Sequence, residues 1–85
     1  DDIVISGGEN ISLSNIKNIL FQNNDIVDVY LDTEKHDDYG TKITAFVQVT
    51  KEELSSEDIY KHLMHYLSKN QCPQDIQIVD EINHD

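Results

Sequence analysis

Ile3-Val4-Ile5-Ser6-Gly7-Gly8-Glu9-Asn10-Ile11 is a short β-branched run that breaks into two glycines, a carboxylate and an amide. Val and Ile favour a half-buried strand. Paired glycines remove Cβ from two successive positions, so the backbone can turn with positive φ or lie directly against a ligand. The stretch is not a phosphate cradle, because a P-loop needs Gly-x-x-x-x-Gly-Lys-Ser/Thr and the dinucleotide fingerprint needs a third glycine opening a helix. Taken alone, Asn10 reads as a turn or capping residue and Glu9 as a solvated carboxylate.

Working outward from the glycines, Ser12 or Ser14 can cap a helix through about Gln22, with Leu13, Ile16, Ile19 and Leu20 on one face. Asn23-Asn24-Asp25 ends it. The alternation from Ile26 to Leu31, with Val27, Val29 and Leu31 against Asp28 and Tyr30, predicts a strand with one face in the core, and Ile43, Ala45, Val47 and Val49 predict a second. Residues 32–40 between them read as a polar loop too long for a tight hairpin. Ser55 with Asp58 three residues on has the capping-box form and opens a helix to about Lys69, with Ile59, Leu63, Tyr66 and Leu67 inward. Pro73 prevents its continuation, and Ile76 to Val79 form a last strand. The order strand, helix, strand, strand, helix, strand predicts a two-layer α+β domain, a small mixed sheet with two helices over residues 1–85. Ile16, Leu20, Val29, Val47, Leu63 and Leu67 are expected to share one core.

Eighty-five residues make one small domain, which buries about 60% of its unfolded surface and leaves no room for a sizeable internal cavity. Seventeen acidic residues against six basic ones, a net charge of -11, repel nucleic acid and anionic membrane. The same charge is awkward for binding phosphates, which suit Arg and Lys, so any nucleotide recognition is expected to lean on another domain. Cys72 is the single cysteine, which excludes an internal disulfide and suits a reducing cytosol. No apolar run approaches the ~20 residues of a membrane helix, and no signal peptide opens the chain, so a cytoplasmic protein is expected.

With Asp1-Asp2 in front of it, Ser6-Gly7-Gly8-Glu9-Asn10-Ile11 resembles a segment of the adenylate-forming acid-CoA ligases, the acyl- and aryl-CoA synthetases, and its wording is most like the aryl and o-succinylbenzoate branch. Further along, Asp37-Asp38-Tyr39-Gly40 is similar to the family's Asp-Glu-x-Trp-Gly, Ala45-Phe46-Val47 to its Ala-Phe-Val, Glu53-Leu54-Ser55 to its Glu-Leu-Ser, and Val79-Asp80-Glu81 to its Val-Asp-Glu-Leu-Pro. The resemblance covers nearly the whole chain and implies a small, mobile C-terminal domain whose N-terminal adenylation domain is not part of this sequence.

The implied reaction activates a carboxylic acid with MgATP to an acyl-adenylate and then transfers the acyl group to CoA. By the same resemblance Asp1 is the hinge about which the domain turns, and Gly7, Gly8 and Glu9 belong to the thioester-forming face. The glycines line the tunnel of the CoA thiol and Glu9 helps position the site. Tyr39 stands where an aromatic can stack on the CoA adenine. The family's catalytic Lys follows Val-Asp-Glu-Leu in a Pro-Arg-Thr-x-x-Gly-Lys segment, whereas Val79-Asp80-Glu81-Ile82-Asn83-His84-Asp85 departs at Asn83-His84 and stops short of it. No residue here takes that catalytic role, and the isolated chain is expected to be inactive. The family's aromatic-Lys-x-Pro before the last strand is Asn70-Gln71-Cys72-Pro73. The alternative is a stand-alone, non-catalytic interaction module with the same fold.

Other constellations are weaker. Asp32, Glu34, His36 and Asp38 alternate along one stretch, but the calcium-loop pattern needs Gly at its sixth place and Glu at its twelfth, where Asp37 and Ile43 stand. His62 and His65 have no supporting Cys or third His at zinc spacing, so no metal is expected. Ser6 lacks Gly-x-Ser-x-Gly, and Cys72 has nothing in the sequence to depress its pKa.

Overall fold

The computed structural model describes residues 2–50 and 53–84. Its elements are β1 (Ile3–Ser6), β2 (Glu9–Ser12), α1 (Leu13–Leu20), β3 (Ile26–His36), β4 (Gly40–Val49), α2 (Ser56–Met64) and β5 (Asp75–Val79), with a short 3₁₀ turn at Lys69–Gln71 before β5. β1 and β2 form a two-stranded hairpin, while β3, β4 and β5 form a mixed sheet in that order, antiparallel between β3 and β4 and parallel between β4 and β5. The α+β order read from the sequence stands, with its first strand folded back on itself.

Each helix begins where a side chain can take an orphan amide. Ser12 Oγ accepts from Asn15 N–H at 3.1 Å, and the Asp2 carboxylate accepts from Ser14 N–H at 2.7 Å and from the Ser12 hydroxyl at 3.1 Å. Those bonds tie the start of β1 to the start of α1. At α2 the capping box is complete: Ser55 Oγ accepts from Asp58 N–H and the Asp58 carboxylate accepts from Ser55 N–H, both at 3.1 Å. The second helix ends at Met64 rather than near Lys69. Its last turn closes at Leu63, and the chain then turns outward, which leaves Tyr66 exposed while Leu67 still packs on the core.

The core lies between the helices and one face of the three-stranded sheet. Ile16, Ile19 and Leu20 of α1, Ile59 and Leu63 of α2, and Val29, Leu31, Ile43, Ala45 and Val47 of the sheet are all buried. Two strand expectations need correction. Val27 is 47% exposed, because the β3–β4 register slips between Ile26 and Asp28. That bulge inserts one residue, so Ile26 and Val29, three apart, both face inward. Residues 32–40 are not a long loop: β3 continues to His36, β4 starts at Gly40, and His36 pairs with Gly40 around a three-residue tip. Strict polarity hid this ladder because its far end carries polar side chains and lies beside the β1–β2 hairpin instead of the apolar core.

No helix among the described residues is long and apolar enough to cross a membrane.

Candidate functional site: the glycine turn and its cleft

Gly7 and Gly8 connect β1 to β2 as a two-residue hairpin turn, with Ser6 paired to Glu9. Their φ values are +58° and +82°. Positive φ at both central positions belongs to the mirror-image turns whose twist matches a hairpin, and glycine meets that demand without steric cost. A Cβ on Gly8 would meet nothing within 4 Å, and one on Gly7 would approach Asn70 at 3.8 Å. The turn therefore asks for glycine through its torsions and not through crowding.

Four hydrogen bonds fix this turn on the sheet. Gly7 N–H donates to the Tyr39 carbonyl at 2.9 Å, and the Ser6 hydroxyl donates to the Thr41 carbonyl at 2.6 Å. Gln74 Nε2 donates to Ser6 Oγ at 2.9 Å, while Gln74 Oε1 accepts from Ile43 N–H at 2.7 Å. Ser6 is wholly buried and has both a donor and an acceptor, so it is a satisfied structural hydroxyl and not a nucleophile. Alternation along β1 foretells this, since Ser6 shares the inward face with Val4.

Beside the turn lies a cleft of about 420 Å³ lined by Gly7, Tyr39, Tyr60, Lys69, Asn70, Cys72, Pro73 and Gln74. Two residues singled out in the sequence, Gly7 and Tyr39, meet there although 32 positions apart. Gly8 and Glu9 lie on the exposed side of the turn and do not line the cleft. Tyr39 already stacks one ring face on His36, with centroids 3.9 Å apart and planes 13° from parallel. The hinge assignment to Asp1 lies outside the described residues.

Sequence reading missed Lys69, Asn70, Tyr60 and Gln74. Lys69 supplies a cation at the cleft two positions before Gln71, where the family pattern would place its Lys, and the 3₁₀ turn at Lys69–Gln71 carries it there. Cys72 is buried, and burial pushes its thiol above the ordinary value of 9.0, which makes it a poor nucleophile at neutral pH. His62 Nε2 lies 3.0 Å from the Ile19 carbonyl and bridges the two helices. Among the described residues no three His, Cys, Asp or Glu side chains cluster as a metal site. Asp32, Glu34 and His36 are spread along β3, with Asp38 at the hairpin tip.

No family model matches the chain. It is 35% identical over 82 residues to the 2-succinylbenzoate–CoA ligase of Oceanobacillus iheyensis, covering 96% of this chain and 17% of that protein. It is 32% identical over 82 residues to the trans-cinnamate:CoA ligase of Petunia hybrida, covering 95% and 14%. Among solved structures, the ATP-bound MatB of Rhodopseudomonas palustris superposes with a TM-score of 0.85 at 25% identity, covering 99% of this chain and 17% of that one. The o-succinylbenzoate CoA synthetase (MenE) of Bacillus subtilis, in complex with its acyl-adenylate intermediate, superposes with a TM-score of 0.81 at 21% identity, covering 96% and 17%. In sequence and fold the chain matches the C-terminal domain of the AMP-forming acid-CoA ligase family. It spans about one sixth of the length of the ligases it matches.

Proposed function

We propose that this chain is the mobile C-terminal domain of an acid-CoA ligase that activates a carboxylate with MgATP and transfers it to CoA. The acid proposed is o-succinylbenzoate, and the enzyme one of menaquinone synthesis in the cytoplasm; the likeness to a 2-succinylbenzoate–CoA ligase supports this choice. The observation that carries the reading is the 35% identity to a 2-succinylbenzoate–CoA ligase across 96% of the chain. Its partners are the N-terminal adenylation domain of the same polypeptide and CoA, and Asp1 serves as the hinge between the domains.

In this reading Gly7 and Gly8 form the wall past which the CoA thiol travels, Glu9 helps position the thioester-forming face, and Tyr39 offers the CoA adenine a stacking surface. The chemistry suits the residues. A side chain on the solvent side of the turn would stand in the path of a narrow ligand, and an adenine on Tyr39 would extend the existing stack on His36. Lys69 would give a phosphate one cation in an otherwise uncharged cleft.

The test uses the intact ligase containing this domain. Pyrophosphate exchange into ATP reports adenylation, and single-turnover transfer from preformed acyl-adenylate to CoA reports the second step. Gly8→Leu is expected to slow transfer by about 10²-fold, on the order of 3 kcal/mol, because a small misplacement of the thiol forfeits much of the proximity advantage. Adenylation should be preserved. Equal losses in both steps would reduce the glycines to turn formers. The 85-residue chain alone, given MgATP and o-succinylbenzoate, should release no pyrophosphate above background.

A further inference from the structure

We infer that Gln74 is the positioning residue that sets the Gly7–Gly8 turn against the cleft. It sits just ahead of β5 and acts as a detached piece of backbone. Its main-chain N–H donates to the Ile43 carbonyl at 3.0 Å, and its side-chain Oε1 accepts from the Ile43 N–H at 2.7 Å. Both main-chain groups of Ile43 are thus held by one residue, which extends the parallel β4–β5 ladder one step past its first pair, Thr44 with Asp75.

The other end of the same amide reaches the glycine hairpin. Gln74 Nε2 donates to Ser6 Oγ at 2.9 Å, and Ser6 Oγ donates to the Thr41 carbonyl at 2.6 Å. A continuous donor-to-acceptor relay therefore runs from the Ile43 N–H through the Gln74 amide and the Ser6 hydroxyl to the Thr41 carbonyl. Each bond polarises the next, so the relay is stiffer than its members taken singly. Ser6 is the residue before Gly7, and Gly7 N–H is itself bound to Tyr39. The direction in which β1 delivers the turn is thereby fixed from β4 and β5.

Only glutamine meets these needs. The group must accept at one end and donate at the other, and Ser6, wholly buried, has no water to replace a lost donor. Glutamate accepts at both ends, and methionine keeps the length and makes neither bond.

The inference rests on the ligase reading only for what the turn touches; the latch itself is independent of it. Amide hydrogen exchange on the 85-residue chain tests the latch. In Gln74→Met, protection at Gly7 and Ile43 should fall about tenfold or more while amides of the β3–β4 ladder change less than about twofold, the signature of local rather than global opening. Gln74→Glu keeps the acceptor for Ile43 and should lose protection at Gly7 alone. Pantetheine, the thiol arm of CoA, is then titrated while the amides of Gly7 and Asn70 are followed. Gln74→Met should bind it at least about threefold more weakly than the parent chain, since the cleft wall is no longer set. Parallel loss of protection throughout the sheet, no loss at Gly7, or pantetheine bound by the parent chain and by Gln74→Met with equal affinity overturns the assignment. Selective loss at Gly7 with no pantetheine response in the parent chain upholds the latch and overturns the thiol-path reading of the glycine turn.

Discussion

The β1–β2 hairpin leaves Ile3 and Ile5 in solvent and turns Val4, Ser6 and Ile11 inward, while the β3–β4 hairpin carries Val29, Leu31, Ile43, Ala45 and Val47 into the core. Both use positive-φ glycine at the turn, Gly7 and Gly8 in the first and Gly40 in the second. Two short strands alone are marginal in water. The second hairpin is stabilised by the apolar surface it buries. The first buries less, chiefly Ile11 with Val4 beside it, and depends more on hydrogen bonds to other elements: Ser6 to Thr41, Gly7 to Tyr39, and Asp2 to the start of α1. One hairpin is therefore part of the scaffold and the other is mounted on it. A turn held by a few polar contacts can be aimed accurately and still be released at small cost.

The sharpest way to break this comparison is to delete the same side chain from both hairpins. Ile43 is fully buried, whereas Ile5 is 59% exposed. Ile43→Ala should cost about 2–5 kcal/mol, a large part of the stability of a domain this small. Ile5→Ala should stay within about 0.5 kcal/mol. Urea denaturation of the chain measures both. A large loss at Ile5 would mean that the first hairpin belongs to the scaffold after all.

The turns themselves give the next effects. A Cβ on Gly40 would lie 3.0 Å from the Ile5 carbonyl oxygen, at φ +89°. Gly40→Ala should therefore cost about 2 kcal/mol or more, combining left-handed strain with displacement of β1. Gly8→Ala carries the torsional term alone, about 1 kcal/mol, or a melting point lower by roughly 4–8 °C. Gly7→Asn should be nearly neutral, because asparagine is at home in the first position of such a turn. If Gly8→Ala proved as costly as Gly40→Ala, the first turn would be packed as well as bent.

Most of the scaffold was legible in the sequence because burial writes a period. Ile16, Leu20, Val29, Val47 and Leu63 were found by spacing and are buried, and Leu67 is half-buried against them. Ser55 and Asp58 announced the second helix by a bond pattern that is itself local. The misreadings fall where a non-local partner decides. The bulge at Val27 is set by pairing with β4, and the outer half of the β3–β4 ladder has no apolar face to mark it. At the site, Gly7 and Tyr39 were named for separate reasons and their meeting was invisible. Gln74 follows a proline in a polar stretch, and nothing local distinguishes it. Its significance comes from Ser6 and Ile43, 68 and 31 residues away.

The smallest expected effect concerns the bond that ties the mounted hairpin to α1. The hydrogen bond from Ser14 holds the Asp2 carboxyl below its ordinary value of 3.8, with Ser12 contributing. The folded state thus favours the ionised form. Such a group contributes stability that is fully present above the unfolded pKa and is lost as pH falls through the folded one. Asp28 on β3 is depressed in the same sense, chiefly by the hydrogen bond from His84, which lies 2.7 Å away. Both carboxylates are well solvated, so each contribution is small, and the two variants Asp2→Asn and Asp28→Asn differ in what they loosen. Urea midpoints for Asp2→Asn should sit slightly below those of the parent from neutral pH down to about pH 5 and converge with them as acidity protonates Asp2 in the parent chain. Exchange at Ser14 should rise in step in Asp2→Asn and stay at the parent level in Asp28→Asn. A gap between Asp2→Asn and parent that persists unchanged to pH 2.5 would show that the geometry of the side chain, and not its charge, fastens the first hairpin to the helix.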